Sequence, residues 1–404
     1  MTVAHELWTP PIASGEAVSE DRGLSISVTD DVSAALPFWL DLEASAVGSP
    51  FQRHGFVSAF LAHTAPAKPA RPLIVVGRGQ GGGFVLPLLI LQNGPFRVAR
   101  FAGGSHTNFN VGLFAPETWA RLSPADVEAV FRVIDTAQAG VDLIDLRGQP
   151  RRLAGRENPF VDARSRPAPH CGWDLSLEGG MDAVLERHRG ARKRKNLKAK
   201  TKGLSALGAV TWRRAETLSE AGHILDTFFE QKARRFAQQG LPDVFAAPSV
   251  RALFRSAIRS SGPAGPLLSC SALDVGGTIR ATMISASFGG TEFLLMNSFA
   301  LDASAKWSPA EVALFHQIED CCNRGIERVD FGVGDARYKR SWADAEVALT
   351  DTLVPLTAKG TLAATMLKWQ RSGVDIVRMS PALSAFAQRI RRRAHGDASD
   401  GDED

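Results

Sequence analysis

One run of the 404-residue chain gathers side chains that can bind a ligand and give it a proton: Asp330-Phe-Gly-Val-Gly-Asp-Ala-Arg-Tyr-Lys-Arg-Ser-Trp342. Tyr338 is the single tyrosine, against 22 phenylalanines. With a reference pKa of ~10 it keeps its proton at neutral pH. Gly332 and Gly334 allow close approach of a ligand to the backbone. Asp335, Arg337, Tyr338 and Lys339 follow residues 326–331, an alternating run that predicts a strand, and the C-terminal end of a strand is a usual place for a site. The alternative is a polar strand-to-helix loop in which Tyr338 is a packing anchor.

A second group is electrostatic. Residues 187–202 hold nine Lys/Arg and no acid. Removing those nine from the net +4 leaves −5, so the basicity is local. Such a strip can bind the phosphates of a nucleotide or a nucleic acid, or be a solvated helix. Its charges at 192, 193, 194, 195 and 198 run around a helix, and no aromatic is interleaved, which argues against base stacking. Gly77-Arg-Gly79-Gln-Gly81-Gly82 matches GxGxxG, but an apolar run with Pro87 follows where a dinucleotide site needs a helix. A hairpin loop is expected there. Cys171, Cys270, Cys321 and Cys322 form neither a disulfide framework nor a zinc spacing and read as packed thiols. No metal site is expected.

The elements that carry these residues are legible from an internal repeat. SPADVEAVFRVIDTAQAGVDLIDL at 123–146 and SPAEVALFHQIEDCCNRGIERVDF at 308–331 align without a gap at an offset of 185. Each reads as a helix opened by a Ser–Pro–acid capping box, closed by Gly140 or Gly325 and followed by a strand. Val312, Phe315, Ile318 and Cys322 make the buried face of the second helix, and His316 beside them reads as a packed histidine. Glycine pairs 276–277 and 289–290 predict hairpins between strands at 267–274, 278–287 and 291–301. Residues 72–77 and 84–91 take the same part in the first half. A strand at 209–214 and a helix at 218–236 precede the second meander, and a last segment covers 345–356. The run after Asp145, Leu-Arg-Gly-Gln-Pro, has neither Tyr nor Lys.

Composition and length bound the class: 44% hydrophobic and 22% charged residues suit a globular chain, and 404 residues suit two domains or three. No apolar run approaches the ~20 residues of a membrane span, and the first residues lack a signal peptide's basic and apolar regions. A cytoplasmic location is the expectation.

The strand–helix–meander–helix–strand order, the SPAEV helix start, the RGIERVDFGVGDARYKRSW run and the basic RKRKNLKAKTKG resemble GNAT-superfamily acyltransferases. The nearest likeness is to the CelD/BcsL-type family, linked to cellulose and exopolysaccharide synthesis and related to FemAB transferases. The resemblance implies an α+β fold of tandem duplicated GNAT-like domains, each a mixed, mainly antiparallel sheet flanked by helices. It divides the chain into a disordered segment 1–24, a degenerate domain 25–165, a catalytic domain 166–358, a helical segment 359–394 and an acidic disordered tail 395–404. It implies acetyl-CoA or another acyl-CoA as co-substrate, no metal, and an amine of a small molecule, amino sugar or amino acid as acceptor. Lys306, Trp307, Ser308, Ala310 and Glu311 would surround the donor's pyrophosphate at a helix N-terminus, Asn297, Phe299 and Ala300 would run along the pantetheine, and Lys339 would assist. The usual Arg/Gln-x-x-Gly-x-Gly/Ala loop is replaced here by Ala303-Ser-Ala-Lys-Trp-Ser308. Tyr338 would protonate the leaving thiolate. Asp335, then Asp330, then Glu292 are the implied bases, with Arg337, Glu292 and Asp330 toward the acceptor.

Two rival readings remain. One is FemAB-like transfer from aminoacyl-tRNA, the only reading with a nucleic-acid partner, in which residues 187–202 contact RNA. The other is a non-catalytic binding module of polysaccharide assembly.

Overall fold

Leu24, Ile26 and Val28 bury alternate positions of a strand, the pattern of a sheet with one face on the core, and they begin the first unit. In chain order it comprises β1 (Glu16–Ser19), β2 (Leu24–Thr29), α1 (Val32–Glu43), α2 (His54–His63), β3 (Ala70–Gly79), β4 (Gly82–Asn93), β5 (Phe96–Phe101), α3 (Pro124–Thr136) and β6 (Leu143–Pro150). The computed structural model describes residues 16–19, 23–64, 70–137 and 139–379. Most of the expected N-terminal segment, residues 380–394 and the acidic tail lie outside them. β1 falls within the stretch expected to be disordered and pairs with β2. The GxGxxG sequence is a hairpin: Gly79 pairs with Gly82, and β3 and β4 run antiparallel.

The second unit follows two linking strands, β7 (Ser165–Pro167) and β8 (Gly172–Ser176), and the helices α4 (Gly180–Arg187) and α5 (Gly190–Ser205). It comprises β9 (Val210–Arg214), α6 (Leu218–Gln239), α7 (Pro248–Ala257), β10 (Ser269–Val275), β11 (Thr278–Phe288), β12 (Thr291–Phe299), α8 (Pro309–Asn323), β13 (Arg328–Asp330), α9 (Arg337–Trp342) and β14 (Ala345–Val347). The order strand, two helices, meander, helix, parallel strand occurs in both units. The 185-residue repeat is α3–β6 and α8–β13. Gly325, left-handed at φ 71°, directly follows the C-cap Arg324 and closes α8 as expected, whereas α3 is already capped at Ala137 and Gly140, at φ 66°, turns the chain beyond it toward β6. β5 and β6 are parallel, as are β12 and β13.

The chain then returns to the first unit with β15 (Leu349–Pro355) and α10 (Ala358–Met379). The first sheet has the order β1-β2-β3-β4-β5-β6-β15-β7, and the second β9-β10-β11-β12-β13-β8-β14. Each unit thus receives a strand from outside its own run: β8 pairs antiparallel with β13, and β15 with β6. Residues 349–354 are all buried, which requires both faces of the sheet to be covered there, and β15 lies between β6 and β7 rather than at a sheet edge. The expected unit 166–358 therefore divides at Ala348. Ala363 and Ala364 of α10 pack into a small core with Val98, Leu143 and Leu353, and Gly373 does not interrupt the helix.

Phe51 and Phe56 of the first unit share a core with Phe228, Phe229 and Phe254 of the second. Beside them the buried Arg53 pairs with the buried Glu43 at 3.2 Å. Arg53 also donates to the carbonyls of Pro266 at 2.9 Å and Gly265 at 2.7 Å. With each of the three guanidinium nitrogens engaged, the buried charge is compensated. This seam fixes α2 and the segment before it against the second unit.

Candidate active site

The chemistry of the second unit starts from a fault in its sheet. β12 and β13 pair only over Thr291–Phe293 and Arg328–Asp330. Beyond Phe293 the strands separate, and the register of β11 with β12 shifts between Ile284 and Ser285, leaving Leu295 as an extra residue. Tyr338, carried on α9 past the end of β13, stands beside this opening. Asn297 Nδ2 donates to its hydroxyl at 3.3 Å, and Phe331 meets its ring edge-on at 6.5 Å. Burial pushes the Tyr338 phenol above its ordinary value, so it is a proton donor throughout the neutral range.

Asn108, from the first unit, was not legible as a site residue. It donates to the Leu294 carbonyl at 3.3 Å, at the point where β12 loses its partner. It also accounts for Gly332: a Cβ there would lie 2.6 Å from Asn108 Nδ2, at a φ of +71°. The close approach that this glycine permits is made by the neighbouring unit.

On the other side of Tyr338 a cavity of about 700 Å³ lies between α5, α8 and α9. Arg187, Arg189, Arg192, Lys193, Lys200, Arg337 and Arg340 line it, with Glu311 as the acid. The basic strip is thereby divided. Arg192, Lys193 and Lys200 face the cavity, whereas Arg194 pairs with Asp182. Lys200 holds Glu311, and Arg340 holds Asp335 at 2.9 Å. Among the described residues Arg189, Arg192 and Arg337 have no acidic partner. Lys193 lies 3.8 Å above the Trp342 ring and donates to Ser341 O at 2.9 Å. Burial lowers its pKa to about 8, with Arg189 adding to the shift and Glu311 opposing it.

The start of α8 differs from the expected anion site. Ser308 is left-handed, at φ 50°, and makes no side-chain cap; Glu311 has turned to Lys200. The turn uses its own N–H groups: Ser304 to Asp302 Oδ1, Ala305 to Asp302 O, Trp307 to Ser304 O, Ser308 to Ala305 O and Glu311 to Ser308 O. Trp307 packs on α5 at Gly203, where a Cβ would lie 2.2 Å from the indole, and Lys306 lies 5.6 Å from that ring. Lys306, Trp307, Ser308 and Ala310 are absent from the cavity wall, which Glu311 joins as a carboxylate. In the first unit Ser123 and Asp126 do form the capping box, so a carboxylate already occupies the N-terminus of α3.

The remaining expected residues separate clearly. Phe299 lies under Arg235 at 4.9 Å, and the Ala300 N–H is taken by Arg280 O. Glu292 is fully buried, bonded to Ser285 Oγ at 2.5 Å, to Ser287 and to Arg324 at 3.1 Å. It braces the sheet. Asp335 is an exposed ion pair, outside the cavity wall. Asp330 is buried and accepts from Gly332 N at 2.7 Å. Burial outweighs that bond and the nearby Lys339 and Arg328 charges, and raises its pKa to about 6. Lys339 is turned inward and donates to Gly332 O at 3.1 Å and Val333 O at 2.9 Å, so it holds the turn after β13. His316 is half-exposed, with Nδ1 3.0 Å from Glu319, rather than packed. The four thiols are free, and burial pushes Cys270 and Cys321 up to about 12.

A parallel strand pair that opens at a bulge, with a helix start and a tyrosine beside the opening, is the local geometry of one fold family. Residues 191–340 match the acetyltransferase (GNAT) domain family. The match spans α5 to α9 and so contains the GNAT opening, the basic helix and Tyr338. Two solved structures share the architecture of nearly the whole chain. The C-terminal domain of a protein described as a lysylphosphatidylglycerol synthetase, from Agrobacterium fabrum, is 13% identical with a TM-score of 0.51, over 84% of this chain and 94% of that one. FemX is 11% identical with a TM-score of 0.51, over 78% and 95%. A tandem GNAT protein from the clavulanic acid biosynthesis pathway aligns at 11% identity and a TM-score of 0.44, over 83% and 99%. No curated protein matches the sequence. The fold is mixed α and β, two units of the same element order whose largely antiparallel sheets are flanked by helices, the second of them carrying the GNAT match. Among the described residues no helix is long and apolar enough to cross a membrane, and no group of side chains could hold a metal ion.

Proposed function

We propose that this protein is an N-acyltransferase that takes its acyl group from a phosphate-bearing donor, acyl-CoA, and passes it to an amine. The observation that carries the reading is the placement of Tyr338 between the opened β12–β13 pair and a cavity lined by cations. Arg189, Arg192 and Arg337 would receive the donor's phosphates, because the N–H groups of Ser304, Ala305, Trp307, Ser308 and Glu311 in the α8 turn are already used. Asn297 and the unpaired edge of β12 would run beside the acyl arm. Tyr338 would give its proton to the leaving thiolate as the acyl carbon is taken by the amine. The first unit would shape the acceptor side, and the CelD/BcsL likeness makes an amino sugar or another precursor of polysaccharide a natural acceptor.

The same cations favour one second reading, transfer from aminoacyl-tRNA. The two readings differ in salt dependence. RNA that neutralises several phosphates on this cavity loses affinity as a steep power of salt concentration, whereas acyl-CoA, with fewer charges, loses less. The deciding experiment follows acyl transfer to a panel of amines, with acetyl-CoA and with aminoacyl-tRNA as donors, across salt concentration. Transfer from acetyl-CoA with a shallow salt dependence is expected; transfer from neither donor would remove the reading.

Lys193 gives this proposal a pH signature. It is charged below about 8 and loses its charge above, so the donor's KM should rise as pH passes from 7 to 9. The expected rise is about fivefold, the ~1 kcal/mol of one partly screened charge. Lys193→Arg should flatten the profile, and an unchanged KM in both proteins would place Lys193 outside the donor site.

A further inference from the structure

A second, smaller pocket lies on the opposite side of β12. It has a volume of about 200 Å³ and is formed by His106 and Asn108 of the first unit, Val244, Phe245 and Phe254 of the second, and Leu295 and Met296 of β12. Three consecutive residues therefore join the two sites: Leu295 and Met296 line this pocket, and Asn297 holds the Tyr338 hydroxyl. The bulge at Leu295 makes this possible, since it gives adjacent residues a common side.

The walls are apolar apart from two side chains. Asn108 is engaged with Leu294 O. The His106 imidazole meets Phe254 edge-on at 5.9 Å and has no hydrogen-bond partner among the described residues. No acid or other base lines the pocket. Burial lowers the His106 pKa, so a ring nitrogen holds a free lone pair at neutral pH. An apolar pocket at a domain junction with one convergent polar group is the usual form of a small-molecule site. Val244, which lines the pocket from the loop between α6 and α7, is 59% exposed and gives it an apolar edge at the surface.

We propose that this junction pocket receives the acceptor as an amine on a short apolar body, and that His106, supplied by the first unit, takes the proton the amine must lose. The proposal rests on the acyl-transfer reading above and names its acceptor class. His106 removes one proton from the ammonium and frees the nitrogen lone pair. The N–C bond forms as the bond from the acyl carbon to the leaving sulfur breaks. Tyr338 protonates the sulfur and is restored through water by the second nitrogen proton. One proton is released overall, from His106 to solvent. The first unit, which lacks a tyrosine and has its own helix terminus capped, thus keeps a part in the chemistry.

Two measurements test this. In the first, the full-length protein with labelled histidine is titrated with phenethylamine, without donor, and the His106 ring resonance is followed by NMR, assigned with His106→Gln. A saturable shift with phenethylamine, and none with ethanolamine, is expected; no shift with phenethylamine would overturn the pocket. In the second, kcat/KM for phenethylamine with acetyl-CoA is measured against pH. The wild type should show an acid limb below pH ~6.5, which His106→Gln should abolish together with about 10²-fold of the rate at pH 7, at an unchanged donor KM. A variant that keeps the wild-type rate and limb would overturn the role of His106 while leaving acyl transfer intact. If no amine is acylated by the wild type, the parent reading fails, and the titration still decides whether the pocket binds amines.

Discussion

Tyr338→Phe is expected to lower kcat by about 10²–10⁴-fold, the range for loss of a positioned general acid, with the donor's KM unchanged. The substitution removes one oxygen. Phenylalanine keeps the edge-on contact with Phe331, and the Asn297 bond it loses is neutral and 3.3 Å long, worth about 1 kcal/mol at most to stability. Folding and donor affinity should therefore survive. If Tyr338 were only a packing anchor, phenylalanine would serve equally and the rate would not change. Steady-state kinetics with the true acceptor separates the two, because a binding defect moves KM and a lost proton moves kcat. A second control is chemical: a donor whose leaving group is a better anion needs less protonation and should lose less in the variant.

Glu292→Ala is expected to destabilise the second unit by about 3–5 kcal/mol, the cost of breaking a buried, compensated ion pair. Glu292 has no exposed side-chain surface, and Arg324 lies 3.1 Å from one oxygen and Arg214 4.0 Å from the other. Its removal leaves two arginines and the Ser285 and Ser287 hydroxyls facing a void at the first turn of β12. Denaturant unfolding followed through the second unit should show the loss. Glu292→Gln keeps the volume and an acceptor oxygen, so it should cost less and leave turnover intact below its unfolding transition. A folded glutamine variant with no turnover would instead return Glu292 to the chemistry.

How much of this was legible in the chain depends on the range of the forces involved. The glycine pairs 276–277 and 289–290 place β10, β11 and β12 because hairpin geometry is local. The 185-residue repeat gives both helix–strand units for the same reason. The exchange of β8 and β15 was not legible: an apolar run such as residues 349–354 announces a buried strand but not which sheet buries it. Direction of side chains was equally hidden. Lys339 sits two residues from Arg337, yet one turns inward to backbone carbonyls and the other reaches the cavity. Glu292 and Asp335 looked alike as carboxylates near the site, and burial tells them apart: one is sealed within the sheet and the other is an exposed ion pair. Asn108 and His106 act some 190 residues from the β12 positions they face, a distance no motif spans. The basic strip was legible as charge, but its division between cavity and solvent follows from the packing of α5 on α8 through Gly203 and Trp307.

The account stands on one physical claim, that the cation-lined cavity beside Tyr338 holds the phosphates of an acyl donor. Calorimetric titration of acetyl-CoA into the wild-type protein and into the Arg192→Glu, Arg337→Glu double variant tests it directly. Saturable binding at one site is predicted, weakened at least tenfold in the double variant, the ~1.4 kcal/mol expected from reversing two partly screened charges. Binding that is indifferent to both reversals, or no binding of acetyl-CoA at all, would contradict it.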